Sequence, residues 1–410
     1  MMAKGKEAKP HIGIFGRRNN GKSSLINVLA GQEVSIVSDF AGTTTDPVKK
    51  SMEITGLGPC VLVDTAGIDD TGTLGSKRIA STLKMLDTID LALLVVLSGQ
   101  FDRVEQELVA QFKKRAVPFL IVINKSDLSF PEDEFVTLLT TQYKVPVVVF
   151  SAQKNPDLAA IVSVIRKELP ESAYKTTSLI GDVVQYGDVV LLIVPIDTEA
   201  PEGRLILPQV QTIRDALDND CICVVCKERE LDMILENPFF KPALAVTDSQ
   251  IFLKADASIP SDIPLTSFSI LLARQKGDFS SYLKGTPKIA SLKDDDRILI
   301  LESCTHHVSC DDIGRMKIPR WISNFTGKRL HYEVVSGLNR LPRDIRDYAL
   351  VVQCGGCVLT RRQLLNRLRP AVEAGVPVTN YGMAIAWVHG IYNRSVAPFV
   401  EIDNQTDNYL

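Results

Sequence analysis

Cysteine is scarce in this chain, eight among 410 residues, and histidine is scarcer at five. A disulfide-stapled scaffold needs a far denser set, so cross-links are excluded as the framework of the fold. Thiols that do cluster are then read as metal or redox groups. Net charge is small as well, since 46 basic side chains nearly balance 49 acidic ones. No field of one sign is available to hold nucleic acid or an anionic membrane surface, and neither is expected as a partner. No apolar run is long and charge-free enough to cross a bilayer, and the opening MMAKGKEAKPH is basic without the apolar stretch of a secretion signal. The expectation is a cytoplasmic protein. What the chain does have is length and 45% apolar residues, enough for two to four domains with a core each.

Along the first 170 residues, short apolar runs alternate with amphipathic stretches: HIGIFG, VKKSMEIT, PCVLVDTAG, DLALLVVL, VPFLIVINKSD and VPVVVFSA. Continuous rather than alternating apolar strands imply a sheet buried on both faces, hence an open α/β sheet. The first run feeds GRRNNGKSSL, in which Gly16, Gly21, Lys22 and Ser23 have the spacing of a phosphate-binding loop before a helix. There Asn19, Asn20, Gly21, Lys22, Ser23 and Ser24 would surround a nucleotide's phosphates. The glycines let backbone N–H groups approach, Lys22 reaches the β- and γ-phosphates, Ser23 can ligate Mg2+, and the helix adds its positive end. The competing reading is a plain glycine turn before a helix.

Further motifs follow in order. Asp64-Thr65-Ala66-Gly67 closes the third run, where Asp64 can hold Mg2+ through water and the Gly67 N–H can sense a γ-phosphate. Asn124-Lys125-Ser126-Asp127 closes the fifth run, and Ser151-Ala152 follows the sixth. Here the chain resembles the translation-factor-like GTPases, in which Asn-Lys-x-Asp reads guanine. That resemblance implies that Asp127 selects GTP over ATP and that the Ser151-Ala152 loop offers an N–H to guanine O6. The stretch AGTTTDPV resembles switch I of the tRNA-modification and ribosome-assembly GTPases, the TrmE/Era-like group. It implies Thr44, between Thr43 and Thr45, as a magnesium ligand. Ile68 stands where Ras-like enzymes place a water-orienting glutamine. The same resemblance implies that K+ replaces an arginine finger and is held in part by Asn19, although asparagine is also an ordinary loop residue. Lys22, Thr44 and Gly67 are the expected catalytic groups of a GTP hydrolase whose ligands are GTP or GDP, Mg2+ and K+.

The polar stretch ESAYKTTS, 171–178, reads as a linker. Beyond it GDVVLLIVPID, PQVQTIRDALDND, CICVVC, ELDMILENP and PALAVTDSQIFLKA make a small β-α-β-α-β unit. Cys221, Cys223 and Cys226 suggest a ligand cluster, yet strand alternation puts the first two on one face and Cys226 on the other. Free cysteine also behaves as a small apolar residue, so these three are read as strand core. With no catalytic constellation present, the expected role is homodimer formation.

After the proline-rich SIPSDIPL, the run DDDRILILES delivers Cys304, His306 and His307. DYALVVQ delivers Cys354-Gly355-Gly356-Cys357, and GVPVTNYG precedes the last helix. If these strands are parallel, both cysteine motifs lie beyond carboxyl ends, where open α/β sheets bind ligands. A Cys3His zinc site, a 4Fe-4S cluster on three thiolates, a thioredoxin-like pair and unliganded thiols are all open on spacing alone.

A GTPase with P-loop asparagine, a small α/β middle domain and a Cys-x-His then Cys-x-x-Cys motif together resemble the FeFe-hydrogenase maturation GTPases, the HydF family. This resemblance covers the whole chain. It implies a 4Fe-4S cluster on Cys304, Cys354 and Cys357, and a scaffold and carrier role for the hydrogenase two-iron subcluster. The implied partners are two radical-SAM maturases and apo FeFe-hydrogenase. Gln353 stands where many members have histidine. That departure leaves the fourth, exchangeable ligand open between His306, which could equally be an outer hydrogen-bond donor, and a carboxylate such as Glu302 or Glu401. A tRNA- or ribosome-directed GTPase with structural zinc is the alternative. The expected architecture is α/β in three domains: a Ras-like P-loop GTPase at 1–172, a dimerisation domain at 173–263 and a cluster domain at 264–410.

Overall fold

A computed structural model describes residues 9–31, 48–65, 82–83, 85–154, 156–170, 173, 177–195, 205–303, 312–337 and 339–400. The chain divides into two compact units, one ending at Thr176 and the other running from Thr177 to the C-terminus.

The first unit holds β1 (His11–Phe15), β2 (Val48–Ile54), β3 (Gly58–Asp64), β4 (Leu91–Val96), β5 (Phe119–Ile123) and β6 (Val147–Val149), in the order β2-β3-β1-β4-β5-β6. Only the β2–β3 pair is antiparallel. Helices α1 (Lys22–Ala30), α2 (Arg103–Lys114), α3 (Asp133–Tyr143) and α4 (Leu158–Glu168) cover both faces. All six residues of β4 are buried, and they part by alternation. Leu91, Leu93 and Val95 join Leu25 of α1 and Ile161 of α4, whereas Ala92, Leu94 and Val96 join Phe112 of α2 and Leu139 of α3. Two covered faces are why the sequences of β4 and β5 are apolar without interruption, unlike the antiparallel edge strand β2.

The second unit contains two parallel four-stranded sheets. Strands β7 (Val189–Ile193), β8 (Ile222–Cys226), β9 (Leu244–Thr247) and β10 (Leu265–Ser267) order as β10-β9-β7-β8. Strands β11 (Arg297–Glu302), β12 (His331–Ser336), β13 (Leu350–Gln353) and β14 (Val378–Asn380) order as β12-β11-β13-β14. The accompanying helices are α5 (Leu207–Asp218), α6 (Leu231–Leu235), α7 (Phe252–Ser258), α8 (Phe268–Lys276), α9 (Phe279–Gly285), α10 (Ile318–Thr326), α11 (Arg361–Glu373), α12 (Tyr381–Val388) and α13 (Tyr392–Val396).

Two differences from the sequence reading concern this unit. The break expected at 263 falls before β10, a three-residue strand too short to stand out, which pairs with β9 and completes the first sheet. In addition, one apolar core takes Leu191 and Ile193 from β7 together with Ile298 to Leu301 from β11, so the two sheets share an interior. The cysteine alternation appears as expected, since Cys221 and Cys223 pack into one cluster and Cys226 against the other. Among the described residues no helix is long and apolar enough to cross a membrane.

Phe112 is fully buried between Phe15 and Phe119, with ring centroids 5.3 and 5.2 Å away. Phe112→Ala is expected to lower stability by about 3–5 kcal/mol. Chemical denaturation followed by far-UV circular dichroism measures this, and a loss below 1 kcal/mol would refute that packing.

Candidate functional site

The phosphate-binding loop is built where β1 ends. Gly16 takes φ 144° and lies so near Val95 that a Cβ would stand 2.3 Å from its carbonyl oxygen. Gly21, at φ 85°, would place a Cβ 2.3 Å from Asn124 Nδ2. These contacts explain the motif glycines, because any side chain would push the loop off its neighbours.

Asn124, at the end of β5 and almost fully buried, ties the motifs together. Its Nδ2 donates to the carbonyls of Asn20 (2.9 Å) and Gly21 (3.4 Å), and its Oδ1 accepts from Ala152 N (3.3 Å). Asn20 Nδ2 in turn donates to Val95 O at 3.1 Å. Ser151 Oγ donates to Asp127 Oδ1 at 2.6 Å, which sets the carboxylate beside the Ser151-Ala152 loop. Lys125 adopts φ 60° between the two. One amide therefore fixes the Asn124-to-Asp127 and Ser151-Ala152 loops against the glycine loop after β1.

Lys22 Nζ donates to the carbonyls of Gly16 (2.9 Å) and Arg17 (2.8 Å), inside the loop it is expected to serve. Ser23 Oγ stands 3.4 Å from Asp64 Oδ2. Burial pushes the Asp64 carboxyl above its ordinary pKa, opposed by the Lys22 charge and the Ser23 hydroxyl. Its Oδ1 is buried and has no hydrogen-bond partner among the described residues. A hydroxyl beside a carboxylate with one orphaned oxygen suits a hard, oxygen-seeking cation such as Mg2+. Ser24 follows on α1. Asn19 is exposed at φ 62°, a conformation asparagine tolerates better than most residues. Thr43, Thr44, Thr45, Gly67 and Ile68 lie outside the described residues.

In the second unit the winding reverses between β11 and β13, which are neighbours with their carboxyl ends side by side. Ser303 follows β11 and Cys354 follows β13. Cys354 Sγ accepts from Ser303 N at 3.1 Å, lies 2.8 Å from Ser303 Oγ and 3.5 Å from Gln353 Nε2. Burial pushes this thiol's pKa up, while the hydrogen bonds from Ser303 and the Gly356 amide pull it back. Gly356 sits at φ 67° with room for no Cβ, since one would stand 2.3 Å from Leu364 Cδ1. Gln353 Oε1 and the hydroxyls of Tyr282 and Tyr381 are buried without partners among the described residues. The donors that do reach Cys354, the Ser303 and Gly356 amides, the Ser303 hydroxyl and Gln353 Nε2, can hold a thiolate, the form in which sulfur binds metal.

Cys304, His306, His307, Cys310 and Glu401 lie outside the described residues. Among those described, no three His, Cys, Asp or Glu side chains gather as metal ligands. Glu302, named above as a possible carboxylate ligand, is already engaged. Arg315 donates to it through Nη2 at 2.8 Å and Nε at 3.1 Å, and Ser336 Oγ donates at 2.8 Å.

With this geometry in view, residues 179–277 match the family model of the hydrogen maturase F dimerization domain, and residues 280–398 that of the tetramerization domain. The chain belongs to the hydrogen maturase F (HydF) family. Residues 11–125 match the 50S ribosome-binding GTPase model, and the first unit of this HydF-family chain is a GTPase domain. GTPase Der of Wolinella succinogenes is 40% identical over 153 residues, 35% of this chain and 32% of that protein. The tRNA modification GTPase MnmE of Chromobacterium violaceum is 41% identical over 120 residues, 29% and 26% of the two. The chain thus spans about a third or less of the length of these curated relatives. Among solved structures, Aquifex aeolicus Era aligns with a TM-score of 0.34 at 21% identity, covering 54% of this chain and 93% of that one.

Two groups in this HydF-family chain escaped the sequence reading. Lys276, at the end of α8, reaches the Cys354–Cys357 loop from 80 positions away. Arg17, within the phosphate loop, forks onto the fully buried carboxylate of Glu105 at 2.7 and 2.8 Å and also pairs with Asp102. Asp102 and Glu105 form the capping box of α2, and that D-x-x-E spacing was the available signal. Removing only the arginine strands a buried charge. Arg17→Met is expected to cost about 3–5 kcal/mol, and the double variant Arg17→Met/Glu105→Leu less than the single. Thermal unfolding of both variants checks this; a double variant less stable than Arg17→Met would contradict the pairing.

Proposed function

We propose that this chain hydrolyses GTP, with K+ as activating cation, and that its second unit carries a 4Fe-4S cluster used in maturation of the FeFe-hydrogenase active site. The observation behind the reading is the Cys354 sulfur, set among hydrogen-bond donors at the switch point of a parallel sheet in a chain that also carries a GTPase domain. Cys304, one residue beyond Ser303, supplies the third thiolate with Cys354 and Cys357. His306 or Glu401 is the exchangeable fourth ligand. A cluster bound there would supply an iron whose fourth ligand can be displaced, suited to a two-iron cargo delivered by radical-SAM maturases and passed to apo FeFe-hydrogenase.

In the GTPase unit, Asp127 holds the guanine edge and Asn124 fixes that loop to the phosphate loop. Lys22 swings from the Gly16 and Arg17 carbonyls to the β- and γ-phosphates, while Ser23, Asp64 and Thr44 hold Mg2+. The Gly67 N–H senses the γ-phosphate, and Asn19 contributes to the K+ site. Homo-oligomers form through the dimerization and tetramerization domains. Exposed Leu207, Val210 and Leu217 of α5 and Ile222 and Val225 of edge strand β8 give the dimerization domain apolar surface to bury.

Two experiments test this reading. GTP turnover is expected to be several-fold faster in K+ than in Na+ at equal ionic strength, and equal rates would remove the cation from the reading. After anaerobic reconstitution the chain is expected to bind about four irons per protomer. Alanine at Cys304, Cys354 or Cys357 sharply lowers that content, while His306→Ala keeps the iron and alters its electron-spin spectrum. A colourless chain with tightly held zinc would favour the structural-zinc alternative.

A further inference from the structure

The loop that carries both cysteines is held by a residue from outside its own sheet. Lys276 ends α8, a helix that follows β10 of the first sheet and lies in the stretch matched by the dimerization domain. Its Nζ donates to three carbonyls, Gly356 and Cys357 at 3.1 Å each and Leu359 at 3.2 Å. An ammonium has three donors, so this one is fully spent on the loop. Burial pushes the Lys276 pKa down, and the charges of Cys357 and Cys354, both within electrostatic reach, oppose that shift.

The position of Lys276 is fixed from behind. Gly277 has no room for a Cβ, which would stand 2.3 Å from the Tyr282 ring. Ser269, at the start of the same helix, lies 3.0 Å from Asn380 Oδ1 and accepts from Gly382 N at 3.1 Å, which ties α8 to the end of β14. Arg361 Nη1 donates to Gln275 O at 2.6 Å. A lysine so anchored can act on the loop rather than follow it. Drawing three carbonyls to one side leaves the Gly356 amide free to face the Cys354 sulfur, and that residue's left-handed backbone is the turn that makes such a concavity.

We infer that Lys276 is a positioning residue of the cysteine site: it keeps the 354–359 loop in its ligand-presenting shape and places a fixed positive charge beside the bound cluster. The inference rests on the cluster reading above. Reduction adds negative charge to a cluster, and a nearby buried cation stabilises the reduced form, so the charge raises the reduction potential. Three ammonium bonds to the loop also slow its opening and hence the escape of iron.

The test compares full-length wild type with Lys276→Gln, Lys276→Met and Lys276→Arg after identical anaerobic reconstitution. Iron content, loss of iron to a chelator and the redox titration of the cluster's electron-spin signal are measured. In Lys276→Gln, which removes the charge but keeps an amide donor, the cluster is expected to stay. Its reduced-to-oxidised ratio at a fixed solution potential falls about tenfold. Lys276→Met, which removes charge and donors together, shows the same fall and loses iron at least fivefold faster. Lys276→Arg restores the ratio. Should the methionine variant fail to fold, the glutamine variant carries the test. Wild-type titration and chelator kinetics in all three variants would overturn the role of Lys276. A wild-type chain that takes up no iron would instead refute the cluster reading, and this inference with it.

Discussion

A strand covered on both faces uses every side chain along its length for packing, which leaves only its ends for chemistry. The central strands of this chain meet that condition: β4 is buried throughout, and so are Ile298 to Glu302 of β11 and all of β13. In a parallel sheet the carboxyl ends collect on one side, and the reversal of winding opens a crevice between them. The phosphate loop after β1 and the cysteine loop after β13 are two uses of that one constraint. Their chemistry differs because the residues at the strand ends differ, whereas the layers beneath are built alike.

How much could be read from the sequence follows from how far apart the cooperating groups lie. The glycine spacing of the phosphate loop, Asp64, the Asn124-to-Asp127 motif and Ser151 are local signals, each carried within a few residues at a strand end. The bridges among them are not local. Asn124 reaches Asn20 across 104 positions and Arg17 reaches Glu105 across 88, and nothing in either neighbourhood announces the other. Strand β12, HYEVVS, gives no continuous apolar run because it is an edge strand, with only Val335 buried and His331 and Val334 exposed. β10 leaves no signal because three residues carry no measurable period. The cysteines of β8 were legible since alternation is a two-residue rule.

The two sheets of the second unit repeat one winding, with the first strand flanked by the second on one side and by the third and fourth on the other. Each last strand ends in a polar cap for the helix that follows, Ser267 for α8 and Asn380 for α12. Their difference is at the crevice. Where the second sheet places Ser303 and Cys354 after its first and third strands, the first sheet places Val194 and Asp248. The same scaffold thus carries no thiol after its first and third strands in one copy, whose cysteines lie in and beside β8, and presents Cys354 after the third strand in the other.

The last turn of α8 holds more than the cysteine loop. Arg274 Nη1 donates to Asp182 Oδ1 at 2.9 Å and to Leu179 O at 3.4 Å, and Gln275 Nε2 donates to Thr177 O at 2.6 Å. Three consecutive side chains therefore grip two different segments, the first residues of the unit and the loop at Gly356 to Leu359. In mechanical terms this turn is a shared anchorage. Tension on the chain at Thr177 bears on the same few peptide groups from which the thiol loop is suspended, and it reaches them without crossing either sheet.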